Sequence, residues 1–143
     1  MTDMIAHLTR QAAFSRATYG PGPRTQGVID HVTKELKEVA KCYEPDFSPS
    51  AWGDDGELLP RYPEDAARHV AAAKEWTDVA ILGIDGLTRA ISAAHPDWTF
   101  ERVAECAVKM IVAKQGKNEL RDWPDWRTAE PGKAIEHVRG KHD

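Results

Sequence analysis

Two pairs of carboxylates carry the chemistry that this chain can do: Glu35 and Glu38 in Lys34-Glu35-Leu36-Lys37-Glu38, and Glu75 and Asp78 in Glu75-Trp76-Thr77-Asp78. The three-residue separation is close to one helical turn, so both side chains of a pair project from one face and can grip one edge of a hard cation. Two such charges about 4 Å apart repel by roughly 4 kcal/mol at an effective dielectric near 20. Pairs facing one another across two helices therefore call for a compensating cation. Magnesium suits them, because it takes oxygen ligands octahedrally and keeps several waters. ExxE spacing also arises by chance on solvated helix faces. Against that plainer reading stands the setting of the second pair: Trp76 to Ile84 is otherwise apolar, and Asp85 and Arg89 prolong the polar stripe. Acidic groups seldom sit among apolar ones without a partner.

The elements that must position these groups are all helical. A first helix is predicted from about Asp3 to Thr18, capped by Thr2 or Asp3, with Ile5, Leu8 and Ala12 at helical spacing. Gly20-Pro21-Gly22-Pro23 ends it in a rigid turn. A second, from about Gln26 to Tyr43, carries Val28, Val32, Leu36 and Val39 as its apolar stripe, with His31, Glu35, Glu38 and Cys42 beside it. Glu44 to Arg61 reads as a loop long enough to serve as a lid. Pro63, Glu64 and Asp65 open a third helix that reaches Ala94 before His95-Pro96, and Gly83 and Gly86 within it signal a close crossing or a kink. A fourth, from near Thr99 to between Glu119 and Arg121, turns Val103, Ala107, Met110 and Ile111 inward. The remainder, through Trp123, Pro124 and Trp126 to Lys133–Arg139, reads as a packed loop and one short helix. The fold class is thus all-α, an antiparallel bundle of about four main helices forming one domain over residues 1–143.

Composition narrows the partners. A net charge of −4 lacks the cationic footprint that a nucleic-acid polymer demands, so a small ligand is expected. Cys42 and Cys106 have neither framework nor CxxC spacing and read as reduced thiols. The segment Met1 to His7 has no basic n-region or apolar run of signal length, and no stretch approaches a membrane span. A cytoplasmic protein with no membrane partner is expected, in the host cytoplasm if phage-encoded.

The succession of ExxE and ExxD on consecutive helices resembles the MazG-like all-α nucleotide pyrophosphohydrolases. The stretches FSRATYGPGPR, GVIDHVTKELKEV, EWTDVAILGIDGLTR, KQGKNELRDWPDWRT and KAIEHVR are similar to the phage and bacterial dATP/dGTP diphosphohydrolases, including the phage MazZ type, over nearly the whole chain. That resemblance implies water attack at the α-phosphate of a purine deoxynucleoside triphosphate, release of pyrophosphate, and two or three Mg2+ ions, or Mn2+ in their place. The ions fall to Glu35, Glu38, Glu75 and Asp78, and Glu38 also orients the water. It implies a homodimer or homotetramer, and in a phage it suggests removal of dATP and supply of dGMP for a modified-purine (2-aminoadenine) pathway. The interval from Glu38 to Glu75 is longer than in the wider group, so the loop between them is not read by analogy.

Substrate-binding candidates lie on either side of the carboxylates. Lys114, Lys117 and Arg121 follow at helical spacing and match the basic positions of the family's KQxKNxxRxWPDW segment. They would hold the departing pyrophosphate, unless they merely solvate a helix end. Asn118 would meet a phosphate or sugar oxygen, and Lys34 adds a cation beside Glu35. The base is expected near Phe14 or Tyr19 and the turn from Gly20 to Arg24, although Phe14 reads first as a core residue. His31, one turn before Glu35, is either its partner or an ordinary polar residue. Trp123 and Trp126 read as a packing clasp. Two other functions fit the residues less fully: a pyrophosphohydrolase for dUTP, dCTP or damaged nucleotides, and a non-catalytic helical interaction module with a solvated acidic stripe.

Overall fold

A computed structural model of the chain describes residues 3–48 and 62–140. Four long helices carry the fold, and no strand occurs among the described residues: α1 (Met4–Tyr19), α2 (Thr25–Lys41), α3 (Glu64–Ala94) and α4 (Phe100–Glu119). The 49–61 part of the expected lid loop lies outside the described residues. No helix among those described is long and apolar enough to cross a membrane.

Local chemistry sets the helix ends. The Asp3 carboxylate accepts from the Ile5 amide at 3.0 Å and so occupies one of the orphan donors at the start of α1. Gly20, at φ 85°, stops that helix, and its amide still donates to the Arg16 carbonyl at 3.1 Å. Thr99 receives the Arg102 amide at 3.2 Å and opens α4.

Particular contacts give the helix directions. Near the end of α2, Tyr43 Oη and His69 Nδ1 lie 2.9 Å apart, and Arg68 donates to the Cys42 carbonyl at 3.2 Å. Near its start, Val28 lies under Gly86 of α3. The start of one helix therefore meets the end of the other, and α2 and α3 form an antiparallel pair. In α1, Gln11 reaches Ile81 and Arg16 reaches Thr88, so α1 runs parallel to α3. The loop end of the α2–α3 pair is filled by Cys42, Phe47, Ala67, Ala71 and Ala72, with Arg68 over the Phe47 ring at 5.0 Å. Leu8, Ala12, Val39, Leu82, Ile91, Val103, Ala104 and Ala107 complete the buried apolar set.

Three expectations about packing need correction. The inward face of α2 runs through Val28, Val32, Glu35, Val39 and Cys42, while Leu36 is 43% exposed. The helix is rotated so that a carboxylate, and not a leucine, meets α3. In α4, Val103 and Ala107 are buried as expected, but Met110 and Ile111 are half exposed. The chain divides into compact units Met1–Ala107 and Val108–Asp143, and no described residue of the second is buried. A unit that short falls below the roughly 40 residues needed to sustain a core of its own. Finally, Lys133–Arg139 is not helical; the short helix of this region is a 3-10 turn at Trp126–Thr128, capped by Asp125. The Val138 amide donates to the Asp122 carbonyl at 2.9 Å, a bond that draws the tail backbone away from helical pairing. Trp123 does clasp, donating Nε1 to the Asn118 carbonyl at 2.8 Å and meeting His137 edge-on, whereas Trp126 is largely exposed.

The two glycines of α3 have different roles. A Cβ at Gly86 would stand 3.4 Å from Val28 Cγ1, so the close crossing is there. Nothing among the described residues lies within 4 Å of one at Gly83. Gly83→Ala is expected to stabilise the fold by about 0.5–1 kcal/mol, the helix-propensity gain of alanine, while Gly86→Ala gains less. The denaturation midpoints of the two variants check this, and equal gains would show that the crossing imposes no constraint.

Candidate active site

Halfway along the α2–α3 seam, Glu35, Glu75 and Asp78 bring one carboxylate oxygen each to within 4.8 Å of one another. Glu35 is buried, Glu75 half-buried and Asp78 exposed, so the group runs from the seam out to the surface. At that spacing and an effective dielectric near 20, each pair of charges repels by roughly 3–4 kcal/mol before solvent screening of the exposed member. Three convergent hard oxygen donors fit a divalent cation that prefers oxygen, and such an ion reverses the sign of the interaction. The half-exposed position leaves room for water and substrate oxygens.

Neighbours orient the group. His31 Nε2 stands 3.3 Å from Glu35 Oε1, one turn earlier on α2, and Tyr19 meets the His31 ring edge-on with centroids 6.3 Å apart. Glu38, one turn beyond Glu35, accepts from Lys41 Nζ at 2.9 Å and lies outside the three-carboxylate group. Burial raises the Cys42 thiol above its usual pKa, and Glu75 and, less strongly, Glu38 push it the same way. Both carboxylates thus act on one sulfur of the seam. Lys34 is exposed on α2.

Beside the carboxylates lies a pocket of about 380 Å3 whose wall contains Gln11, Phe14, Tyr19, His31, Glu35 and Asp78. Phe14 is 63% exposed, which overturns its reading as a core residue: the ring is part of the pocket wall. Phe14, Tyr19 and His31 therefore come together with two of the four predicted carboxylates. The remaining candidates belong to the second unit. There Arg121 donates to Asn118 Oδ1 at 3.0 Å, and Lys114 and Lys117 are exposed.

A buried polar network secures the turn that follows Tyr19. Arg89, 1% exposed, donates Nε to Asp85 Oδ2 at 2.8 Å, Nη1 to the carbonyls of Gly20 and Gly22 at 3.0 and 2.7 Å, and Nη2 to Ser15 Oγ at 2.8 Å. Arg16 donates to the other Asp85 oxygen at 3.0 Å and to Thr88 at 3.3 Å. Burial pushes the Arg16 guanidinium below its usual pKa, Asp85 opposes that fall and Arg89 adds to it. Asp85 and Arg89 are legible as an i, i+4 pair. Ser15, Arg16, Thr88 and Gln11 are not, because nothing in their spacing marks them.

An all-α scaffold with three carboxylates converging at a helix seam, beside a ring-walled pocket, has the donor set of a cation site next to a cleft of small-molecule size. A family model described as dATP/dGTP pyrophosphohydrolase matches residues 63–141, more than half of the chain, and the chain belongs to that family. It is accordingly an enzyme, a nucleoside triphosphate diphosphohydrolase. No curated protein and no solved structure matches it. The matched residues include Glu75, Asp78 and the Lys114 to Arg121 segment but neither Glu35 nor Glu38, Phe14 or Tyr19. Glu35, Phe14 and Tyr19 rest on the sequence reading and on geometry, and Glu38 on the sequence reading alone.

Proposed function

We propose that the enzyme hydrolyses dATP and dGTP to the monophosphates and pyrophosphate, using Mg2+, or Mn2+ in its place, held by Glu35, Glu75 and Asp78. The observation that carries this reading is the convergence of those three carboxylates beside a pocket of nucleoside size. A bound divalent cation would supply Lewis-acid polarisation of the phosphate oxygens and activation of water. Glu38, in this proposal, completes the ion-binding set for two or three ions and accepts the proton of the attacking water. The water oxygen bonds to the α-phosphorus as the bond to the bridging oxygen breaks, and the electron pair leaves with pyrophosphate. Lys41 donates to Glu38 at 2.9 Å and holds that carboxylate in place. His31 holds Glu35 in one orientation, as outer partners of metal ligands do.

Phe14 and Tyr19 would take the base between them. For the pyrophosphate the proposal relies on Lys34, Lys114, Lys117, Asn118 and Arg121, and its support is that the family match covers the last four. A second copy of the chain, in a homodimer or homotetramer, would cover exposed apolar groups such as Trp76 and Ile81, and sedimentation reads that directly. If the gene is a phage's, dATP removal and dGMP supply for a modified-purine pathway would follow, which genome neighbours test.

Incubation with each deoxynucleoside triphosphate separately should release pyrophosphate from dATP and dGTP in Mg2+ and none in EDTA. Release from dUTP or dCTP alone would move the proposal to a different base, and release unaffected by chelation would remove the cation from it.

A further inference from the structure

Gln11 stands in the wall of the 380 Å3 pocket and is held by one end only. Its amide nitrogen donates to the Ile81 carbonyl at 2.7 Å. A backbone carbonyl can only accept, so this bond fixes which end of the amide is nitrogen and which is oxygen. The other end, Oε1, is buried and has no hydrogen-bond partner among the described residues. Folded chains rarely leave such an acceptor unmatched, and each exception calls for a reason, a group that completes the set among them. The same wall holds Phe14, Tyr19, Ile81 and Leu82 together with Ser15, His31 and three carboxylates, and none of these adds a second side-chain amide.

We infer that Gln11 is a specificity-determining residue of this site, its Oε1 accepting a hydrogen bond from an exocyclic amino group of the purine. The inference rests on the proposed function and adds to it the atom that reads the base. Nε2 spends one of its two N–H groups on Ile81, and the end left wholly unmatched is the acceptor. A base carrying an amino group completes the buried oxygen, and a base without one leaves it unmet at a full desolvation cost. The last torsion of a glutamine is broad and the 2.7 Å bond to Ile81 has room to lengthen, so a turn small enough to keep that bond would carry Oε1 towards the pocket surface. The stacking rings supply affinity for any purine. Gln11 supplies the preference.

The test uses the full chain with two substrate pairs: dATP against the purine deoxynucleoside triphosphate lacking the 6-amino group, and dGTP against deoxyinosine triphosphate, which lacks the 2-amino group. For each parent that is turned over, kcat/KM should exceed that of its des-amino counterpart by about 10- to 100-fold in the wild-type enzyme. Gln11→Met, close in shape but without the acceptor, should remove that preference by slowing the parents while sparing the des-amino substrates. The substrate comparison on unaltered enzyme stands even if the variant folds poorly. Equal turnover within both pairs overturns the inference, as does a Gln11→Met enzyme that keeps the preference or loses all four activities by one common factor. An enzyme inert towards all four nucleotides in Mg2+ fails earlier, at the proposed function, and takes the inference down with it.

Discussion

Glu35→Gln is expected to cut turnover at least about a thousandfold while making the metal-free protein more stable. The catalytic loss follows from the value of a Lewis-acid site, several kcal/mol of transition-state stabilisation, at roughly 1.4 kcal/mol per factor of ten. The stability gain follows from charge. Glu35 is the buried member of a group whose oxygens lie within 4.8 Å of one another, and in the absence of a cation those charges oppose folding. Glutamine keeps the shape and a polar atom for His31 Nε2, which stands 3.3 Å from Glu35 Oε1, but removes one charge from the group. With the exposed position of Asp78 screening its share, a gain of about 1 kcal/mol is expected, or some 2–4 °C in a chain of this size. If the proposed metal site is right, Mg2+ should raise the melting temperature of the wild-type chain, as any ligand of the folded form alone does, and should do little for the variant. Melting curves in EDTA and in Mg2+, measured beside turnover, check all three statements. A variant that melts like the parent in EDTA and gains as much from Mg2+ would mean that the carboxylates do not converge in solution.

The seam was legible because its two halves are local patterns. Glu35 with Glu38, and Glu75 with Asp78, are each set by the turn of one helix, and helix direction follows from element order in a short bundle. Which of the four carboxylates converge is not a local property. It depends on the rotation of α2 about its axis, and a stripe drawn through apolar residues alone placed Leu36 where Glu35 lies. The same limit applies to Phe14, since a ring on an amphipathic helix looks alike in the sequence whether it faces a core or a pocket. Gln11 left no trace at all: its importance comes from the Ile81 carbonyl, seventy positions away. The tail was misread for a thermodynamic reason. Residues 133–139 contain helix formers, but a segment that short gains too little from propensity to outweigh a single outside bond such as that from Val138 to Asp122.

Arg89→Met is expected to have the largest effect on stability of any single change on α3, a loss of roughly 3–5 kcal/mol. The side chain is 1% exposed, and its bonds run to three separate parts of the chain: Asp85 on its own helix, Ser15 on α1, and the carbonyls of Gly20 and Gly22 in the turn. Methionine fills the stem volume but donates nothing. Asp85 keeps Arg16, while the buried Ser15 hydroxyl loses its donor at a cost of about 1–3 kcal/mol and the more accessible carbonyls of Gly20 and Gly22 lose theirs at a smaller one. Lysine should not rescue the site, because one ammonium cannot reproduce a planar fork that reaches carboxylate, hydroxyl and carbonyls in fixed directions. A fall in melting temperature of about 10 °C is expected for Arg89→Met, and one at least half as large for Arg89→Lys. Function should follow in a particular way. The turn begins directly after Tyr19, so releasing it loosens the pocket wall without touching the carboxylates, and KM for the nucleotide should rise more than kcat falls at a temperature where the variant is still folded. A variant that melts within 2 °C of the parent would show that the turn holds itself, and that the guanidinium is a passenger in a pocket shaped by the Gly-Pro sequence alone.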